Sequence, residues 1–274
     1  MPMSNNAARV IVALFAIPVI LASSYFGGIY FFLFTFIISL AAFHEFVTIA
    51  KNKNGNANLW LGLIAITLLL INQFKTFIDF TTIIISIVFV TSLIELFRNK
   101  GSAIINIGVT LLGIFYIGLF ASALLAIREF YPPVGELYLK GGYLIISIFA
   151  VIWICDSAAY YGGTAMGRHK LFFRVSPNKS WEGAIFGFVF AIVAMVLAKI
   201  IILNFLSWTT IIALGIIIGI FGQIGDLIES LFKRDGGVKD SSSIIPGHGG
   251  IFDRFDSLLF TAPIILLYLK YIGR

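Results

Sequence analysis

Charge is what this sequence has least of. Asp, Glu, Lys and Arg make up 12% of its 274 residues, about half of the roughly 25% found in soluble domains. A soluble core of this length could not hide the apolar surface that remains, so composition excludes a water-soluble enzyme and leaves a bilayer as the solvent. Cysteine is nearly absent. Cys155 stands alone inside an apolar run, which excludes a disulfide framework and a cysteine-based metal centre. Histidine is scarce as well: His44, His169 and His248 are scattered without ligand spacing, which argues against zinc.

What is present is apolar: 59% of residues are hydrophobic and mean hydropathy is +1.02. Apolar stretches of about 20 residues, enough to cross roughly 30 Å of hydrocarbon as helix, recur at about 9–26, 29–48, 58–73, 77–97, 103–127, 142–163, 182–205, 208–232 and 256–272. Turn-rich or charged clusters separate them, among them Lys51-Asn52-Lys53-Asn54-Gly55-Asn56 and Tyr131-Pro132-Pro133-Val134-Gly135. Arg9 before the first stretch and Ala22-Ser23-Ser24 near its end resemble a signal peptide. Because many similar segments follow, the stretch reads as the first span. The expectation is an all-α, polytopic integral membrane protein with about nine transmembrane helices. It forms one membrane domain, with residues 1–140 mainly scaffold and 141–274 the catalytic half.

The net charge of +6 is not a nucleic-acid signal, because the basic residues lie in short loops between apolar runs. Nine spans with a cytosolic N-terminus put thirteen basic residues inside, from Arg9 to Arg254. Five lie outside: Lys75, Arg128, Lys140, Lys270 and Arg274. That asymmetry predicts a multi-pass protein of the inner or plasma membrane with loops 164–181 and 233–255 facing the cytosol. Of the 13 acidic residues, eight lie between Asp156 and Asp256. A carboxylate within a span costs about 2.5–3.5 kcal/mol on insertion scales, so it faces the protein interior and has a partner.

The densest chemistry runs from Gly225 to Asp256. Gly222, Asp226, Glu229, Ser230 and Lys233 are three or four residues apart and share one helix face. For Glu229 and Lys233, an ordinary i,i+4 pair at a solvated helix end is an equal reading. The loop that follows is rich in glycine, including Gly247, Gly249 and Gly250, which lets backbone N–H groups approach phosphate oxygens. Lys233, Arg234 and Lys239 offer countercharge to a polyphosphate, although Walker A spacing is absent. Asp253 and Asp256 share a face at the start of the last helix, where either could simply complement its dipole. With Asp226 they make a set of hard oxygen ligands suited to Mg²⁺.

Three segments together resemble one family. Ser230-Leu231-Phe232-Lys233-Arg234, Lys239-Asp240 and Pro246-Gly247-His248-Gly249-Gly250-Ile251-Phe252-Asp253-Arg254-Phe255-Asp256 look like the C-terminal motif of phosphatidate cytidylyltransferases, the CDP-diacylglycerol synthases. Asp156-Ser157-Ala158-Ala159-Tyr160 and Ser176-Pro177-Asn178-Lys179-Ser180-Trp181-Glu182-Gly183 also resemble family segments.

The resemblance implies an Mg²⁺-dependent nucleotidyltransferase of phospholipid biosynthesis, with CTP and phosphatidic acid as substrates and a homodimer as a family-level option; a second cation is an option as in some phosphoryl-transfer sites. On it, Asp226, Asp253 and Asp256 hold the metal. Lys233, Arg234 and Lys239 contact phosphates, and Asp240 orients Lys239 or a metal-bound water. His248, Gly249 and Gly250 place donors on a phosphate, and Arg254 joins the substrate contacts. Lys179 and Ser180 begin the seventh span, whose N-terminus suits an anion, with Ser176 as N-cap followed by Pro177. Asp156 either supports the metal from behind or pairs with a buried basic group. The rival readings are a CTP-dependent polyprenol or lipid kinase, which would release CDP, and a membrane transporter. The transporter would show paired repeats that this sequence lacks.

Overall fold

The computed structural model describes residues 5–245, 247 and 249–273. Helices dominate. In chain order they are α1 (Asn5–Phe26), α2 (Gly28–Lys51), α3 (Leu59–Phe74), α4 (Phe80–Arg98), α5 (Ala103–Gly113), α6 (Phe120–Arg128), α7 (Gly135–Met166), α8 (Trp181–Ile201), α9 (Trp208–Ile217), α10 (Gln223–Asp235) and α11 (Phe252–Tyr271). Two π-helical turns, Ile114–Leu119 and Ile218–Gly222, join α5 to α6 and α9 to α10. The second turn immediately precedes the acidic face of α10, and such widened turns are frequent next to functional sites.

Among the described residues, six helical stretches are long and apolar enough to cross a membrane: Gly28–Lys51, Phe80–Arg98, Ala103–Arg128, Gly135–Met166, Trp181–Ile201 and Trp208–Asp235. Of the nine expected spans, the first and third coincide with shorter apolar helices, Val10–Phe26 and Leu59–Phe74. The ninth coincides with α11, which carries Asp253, Arg254, Asp256 and Lys270. Ile104 is 86% exposed and Phe97 78%, and many other large apolar side chains are similarly open. Such surface would be a liability in water and is what lipid solvates. Hydroxyls inside these helices donate to carbonyls one turn back, as Thr35 does to Phe31 (2.7 Å) and Thr91 to Ile87 (2.6 Å). Their polarity is thereby satisfied without water.

Local chemistry sets several boundaries. Asn58, Asp79 and Ser207 each cap a helix by accepting from the backbone N–H three residues on. Asn99, in the left-handed region at φ 43°, ends α4.

The link between α7 and α8 departs from an all-helical reading. It forms an antiparallel hairpin of β1 (Lys170–Phe172) and β2 (Ser176–Ser180). Ser176 therefore lies in a strand and is not the cap of α8. Ser180 caps it, accepting from Gly183 N at 3.2 Å. With Pro177 inside β2, its fixed φ serves an extended segment rather than a first helical turn.

Contacts group the chain into two compact units. The first comprises Met1–Ile20, Gly28–Ala126 and Phe232–Phe255; the second comprises Leu21–Gly27, Ile127–Leu231 and Asp256–Arg274. In the first, Phe46 and Tyr116 pack edge-on against Phe232 and Phe252 at centroid distances of 5.5–6.3 Å. In the second, α7 and α8 approach closely along Gly183 and Gly187. A methyl group on Gly183 would stand 2.6 Å from the Ala159 carbonyl, and one on Gly187 3.0 Å from that of Cys155. This is the small-residue spacing that lets membrane helices pack backbone to backbone.

Candidate active site

Three carboxylates converge in the second unit. One oxygen each from Asp226 and Glu229 on α10 and Asp256 on α11 lie within 4.8 Å of one another. Glu229 and Asp256 are buried and Asp226 half-buried. Two features hold them there. Asp226 and Glu229 are three residues apart on one helix face. Gly225 lets α11 come close, because its hydrogen faces the Asp256 carbonyl and the Phe260 Cβ, which a methyl group would meet at 2.9 and 2.8 Å. Asp256 also accepts from Ser257 N at 2.6 Å. Three carboxylates so placed repel one another and lose hydration, which a cation between them would offset. An all-oxygen set fits a hard divalent ion.

A cavity of about 390 Å³ lies in the same unit, lined by Asp156, Tyr160, Gly163, Lys179, Ser180 and Asp226 among others. Lys179 Nζ reaches Asp226 Oδ2 at 2.5 Å, so the hairpin strand β2 delivers a cation to the carboxylate group. Asp156, Ala159 and Gly163 follow one another along a single face of α7. The close α7–α8 approach at Gly183 therefore forms one side of the cavity. In the first turn of α8, Glu182 accepts from the backbone N–H groups of Arg168 (3.1 Å) and His169 (3.2 Å) and meets His169 Nδ1 at 2.6 Å.

A second polar network lies in the first unit and centres on Asp253 and Glu45. Asp253 Oδ1 pairs with Lys233 Nζ at 2.6 Å, in a largely buried contact. Its Oδ2 accepts from Ser241 N (2.9 Å), Ser241 Oγ (2.9 Å) and Gly250 N (2.8 Å). Glu45, on α2 and 1% exposed, accepts from Ser241 Oγ (2.8 Å), Ser242 Oγ (2.6 Å), Ile251 N (3.0 Å) and Phe252 N (2.8 Å). The last two are N–H groups at the start of α11, where a carboxylate is doubly favoured by hydrogen bonding and by the helix dipole. Asn52 Nδ2 ties the same loop down by donating to the Gly236 carbonyl at 3.0 Å.

The profile of the Cytidylyltransferase family matches residues 7–272. The chain is 32% identical over 266 residues to the phosphatidate cytidylyltransferase of Staphylococcus haemolyticus, covering 95% of this chain and 98% of that protein. The same figures hold for the phosphatidate cytidylyltransferase of Staphylococcus aureus strain COL. Identity to that of Staphylococcus saprophyticus is 44%, over 145 residues that make up 51% of this chain and 55% of the relative. The chain belongs to the cytidylyltransferase family.

In this family member, the site residues expected from sequence fall into two groups. Asp156, Lys179, Ser180, Asp226 and Asp256 lie in the second unit. Lys233, Arg234, Lys239, Asp240, Gly249, Gly250, Asp253 and Arg254 lie in the first. Asp253, expected beside Asp226 and Asp256, has its oxygens engaged by Lys233, Ser241 and Gly250, and the convergent carboxylates are Asp226, Glu229 and Asp256. Arg234 donates to the Val238 carbonyl at 3.1 Å, and Lys239, Asp240 and Arg254 are exposed. Gly249 adopts φ 81°, and a methyl group there would stand 2.8 Å from Asp253 Oδ2. His248 and Pro246 lie outside the described residues. Glu45 was missed, and its signal was an acidic residue inside an otherwise apolar span. Gly183 and Gly187 were missed as a pair, although their GxxxG spacing was legible.

Proposed function

We propose that this chain is a phosphatidate cytidylyltransferase, which joins CMP from CTP to phosphatidic acid to give CDP-diacylglycerol and pyrophosphate. The observation that carries the proposal is the Asp226–Glu229–Asp256 group with Lys179 on Asp226, beside a cavity of about 390 Å³. It occurs in a family member whose relatives over nearly the whole chain are named for that activity.

The chemistry suits these residues. A phosphate monoester has a second pKa near 6, so the lipid phosphate is largely a dianion at neutral pH and needs no strong general base. One of its oxygens attacks the α-phosphorus of CTP. The new O–P bond forms as the bond to the β-phosphate oxygen breaks, and pyrophosphate leaves with that electron pair. The work left to the protein is to bring two anions together in line and to stabilise the departing charge.

Asp226, Glu229 and Asp256 would hold Mg²⁺, which supplies charge screening and polarisation of a phosphoryl oxygen. Lys179 offers a cation at the cavity wall, with Ser180 and Asp156 shaping the same cavity. Lys233, Arg234 and Lys239 offer positive charge to phosphates. Asp253 acts as the anchor that aims Lys233 and fixes the glycine loop. Lys233 and Asp256 belong to one motif of the sequence. The protein would sit in the cell membrane with loops 164–181 and 233–255 toward the cytosol, an orientation supported by the distribution of its basic residues.

The test is purified protein with cytidine-labelled CTP, phosphatidic acid and Mg²⁺. The expected products are a cytidine-labelled lipid and pyrophosphate in equal amounts. Release of free CDP with a phosphorylated lipid would replace this reading with a lipid kinase.

A further inference from the structure

We propose that the β1–β2 hairpin, residues 167–180, is a membrane-docking element that sits in the headgroup layer and grips anionic phospholipid headgroups. Its position comes from the chain itself. It joins α7, ending at Met166, to α8, starting at Trp181, and both helices are long and apolar enough to cross a membrane. A short link between two such spans lies at the membrane surface. Aromatic side chains mark the level: Tyr160 and Tyr161 near the end of α7 and Trp181 at the start of α8 are all exposed, and Tyr and Trp concentrate at the headgroup boundary.

The hairpin tip has the composition such a position needs. Phe172 is 55% exposed and Phe173 72%, while Val175 between them and β2 is buried. The turn is closed by Val175 N donating to the Phe172 carbonyl at 3.1 Å, so the two rings are held outward by a folded element. Around them Arg168, Lys170 and Arg174 are exposed, and no acidic residue occurs from Thr164 to Trp181. Two open aromatic rings among three cations would be poorly placed in bulk water. They complement a layer that is apolar below and anionic above. The opposite side of the same hairpin faces inward: Leu171, Ser176, Lys179 and Ser180 line the cavity. Docking would therefore set one wall of that cavity at headgroup depth, where a lipid phosphate lies. This last consequence rests on the proposed function, whereas the docking itself does not.

Depth measurement tests it. Phe173→Cys in a Cys155→Ala background is labelled with an environment-sensitive fluorophore and the full chain is reconstituted in nanodiscs. The discs are made of phosphatidylcholine alone, of phosphatidylcholine with phosphatidylglycerol, or of phosphatidylcholine with phosphatidic acid. Nitroxide lipids bearing the quencher near the headgroup should quench the label strongly in both anionic compositions and more weakly in the neutral one. Arg168→Gln, Lys170→Gln and Arg174→Gln together should abolish the difference, with each charge contributing about five-fold to the preference. The thermal unfolding midpoint in detergent should stay at the parent value, which reports that the variant is folded. A label at Arg174→Cys repeats the measurement independently of Phe173. Quenching no greater than for a label in water, or equal in neutral and anionic discs, would overturn the proposal. A response to phosphatidic acid without one to phosphatidylglycerol would also overturn it and make the hairpin part of the substrate site. None of the quenching outcomes depends on whether the reaction is cytidylyl transfer.

Discussion

The carboxylate of Glu45 accepts a hydrogen bond of 2.8 Å from the hydroxyl of Ser241, a residue 196 positions further along the chain. The same Ser241 oxygen lies 2.9 Å from Asp253 Oδ2, so its single proton is shared between the two carboxylates, while the Ser241 backbone N–H donates to Asp253 at 2.9 Å. Through Ser242, Ile251 and Phe252, Glu45 also secures both the loop after α10 and the first turn of α11. A residue in the apolar first half thus determines the shape of the glycine-rich loop in the second.

Replacing Glu45 with Ala should leave three donors, Ser242 Oγ, Ile251 N and Phe252 N, without their acceptor, while Ser241 Oγ keeps Asp253. The expected cost is on the order of 3 kcal/mol, since each buried orphan costs about 1–3 kcal/mol and some will find water. Thermal unfolding in detergent should show the loss, and limited proteolysis should open the 236–251 loop first. Glu45→Gln should keep part of the stability, because one oxygen acceptor survives. An alanine variant as stable and as protease-resistant as the parent would remove Glu45 from this role.

Asp253→Asn and Asp256→Asn should fail differently. Asp256 belongs to the convergent carboxylates, so its loss should raise the Mg²⁺ concentration needed for half-maximal turnover and weaken Mg²⁺ binding measured by calorimetry without substrate. Asp253 anchors Lys233 and the loop, so its loss should raise CTP KM, by about 10–100-fold as for other supporting residues. The Mg²⁺ dependence should stay near that of the parent. A shifted Mg²⁺ dependence in Asp253→Asn would return this carboxylate to the metal group.

Gly225→Ala should act without removing any charge. Its new methyl would press on Phe260 Cβ and the Asp256 carbonyl, both under 3 Å away, and force α10 and α11 apart. The helices should persist by circular dichroism, while Mg²⁺ affinity falls because Asp226 and Asp256 separate. Unchanged metal affinity would show that the helices accommodate the methyl elsewhere.

Arg128 offers the opposite pattern. It is fully buried and donates to the carbonyls of Ser24 (2.5 Å), Tyr25 (2.9 Å) and Tyr138 (3.3 Å). The first two are at the C-terminal end of α1, whose carbonyls have no helical partners. Arg128→Ala should lower stability by about 3 kcal/mol while KM for CTP and Mg²⁺ dependence stay unchanged in the protein that remains folded. Arg128→Lys should rescue little, since one ammonium cannot reproduce the guanidinium fork.

Much of this was legible in the residues. Hydropathy is a local sum, and a helix in lipid satisfies its own backbone, so apolar stretches announced a helical membrane protein without any knowledge of packing. The run from Ser230 to Asp256 announced its family because motif chemistry is written in adjacent positions. The α7–α8 link was read as helix start from Ser176 and Pro177, whereas strand pairing with Lys170–Phe172 moved the cap to Ser180. That pairing depends on a partner strand, which local propensity does not see.

The acidic residues divide along the same line. Their presence and rough neighbourhood were determined by sequence alone, because a charge in an apolar chain is conspicuous wherever it lies. Which of them meet was decided by tertiary structure. Asp253 and Asp256 are three positions apart on one helix, yet Asp253 joins Lys233 and Ser241 while Asp256 joins Asp226 and Glu229. A helix gives each side chain a direction, but the groups waiting in that direction arrive from remote parts of the chain. Gly225 admits α11 against α10, and α2 carries Glu45 to the loop. Those approaches depend on close packing between distant segments, and spacing along the chain contains no record of them.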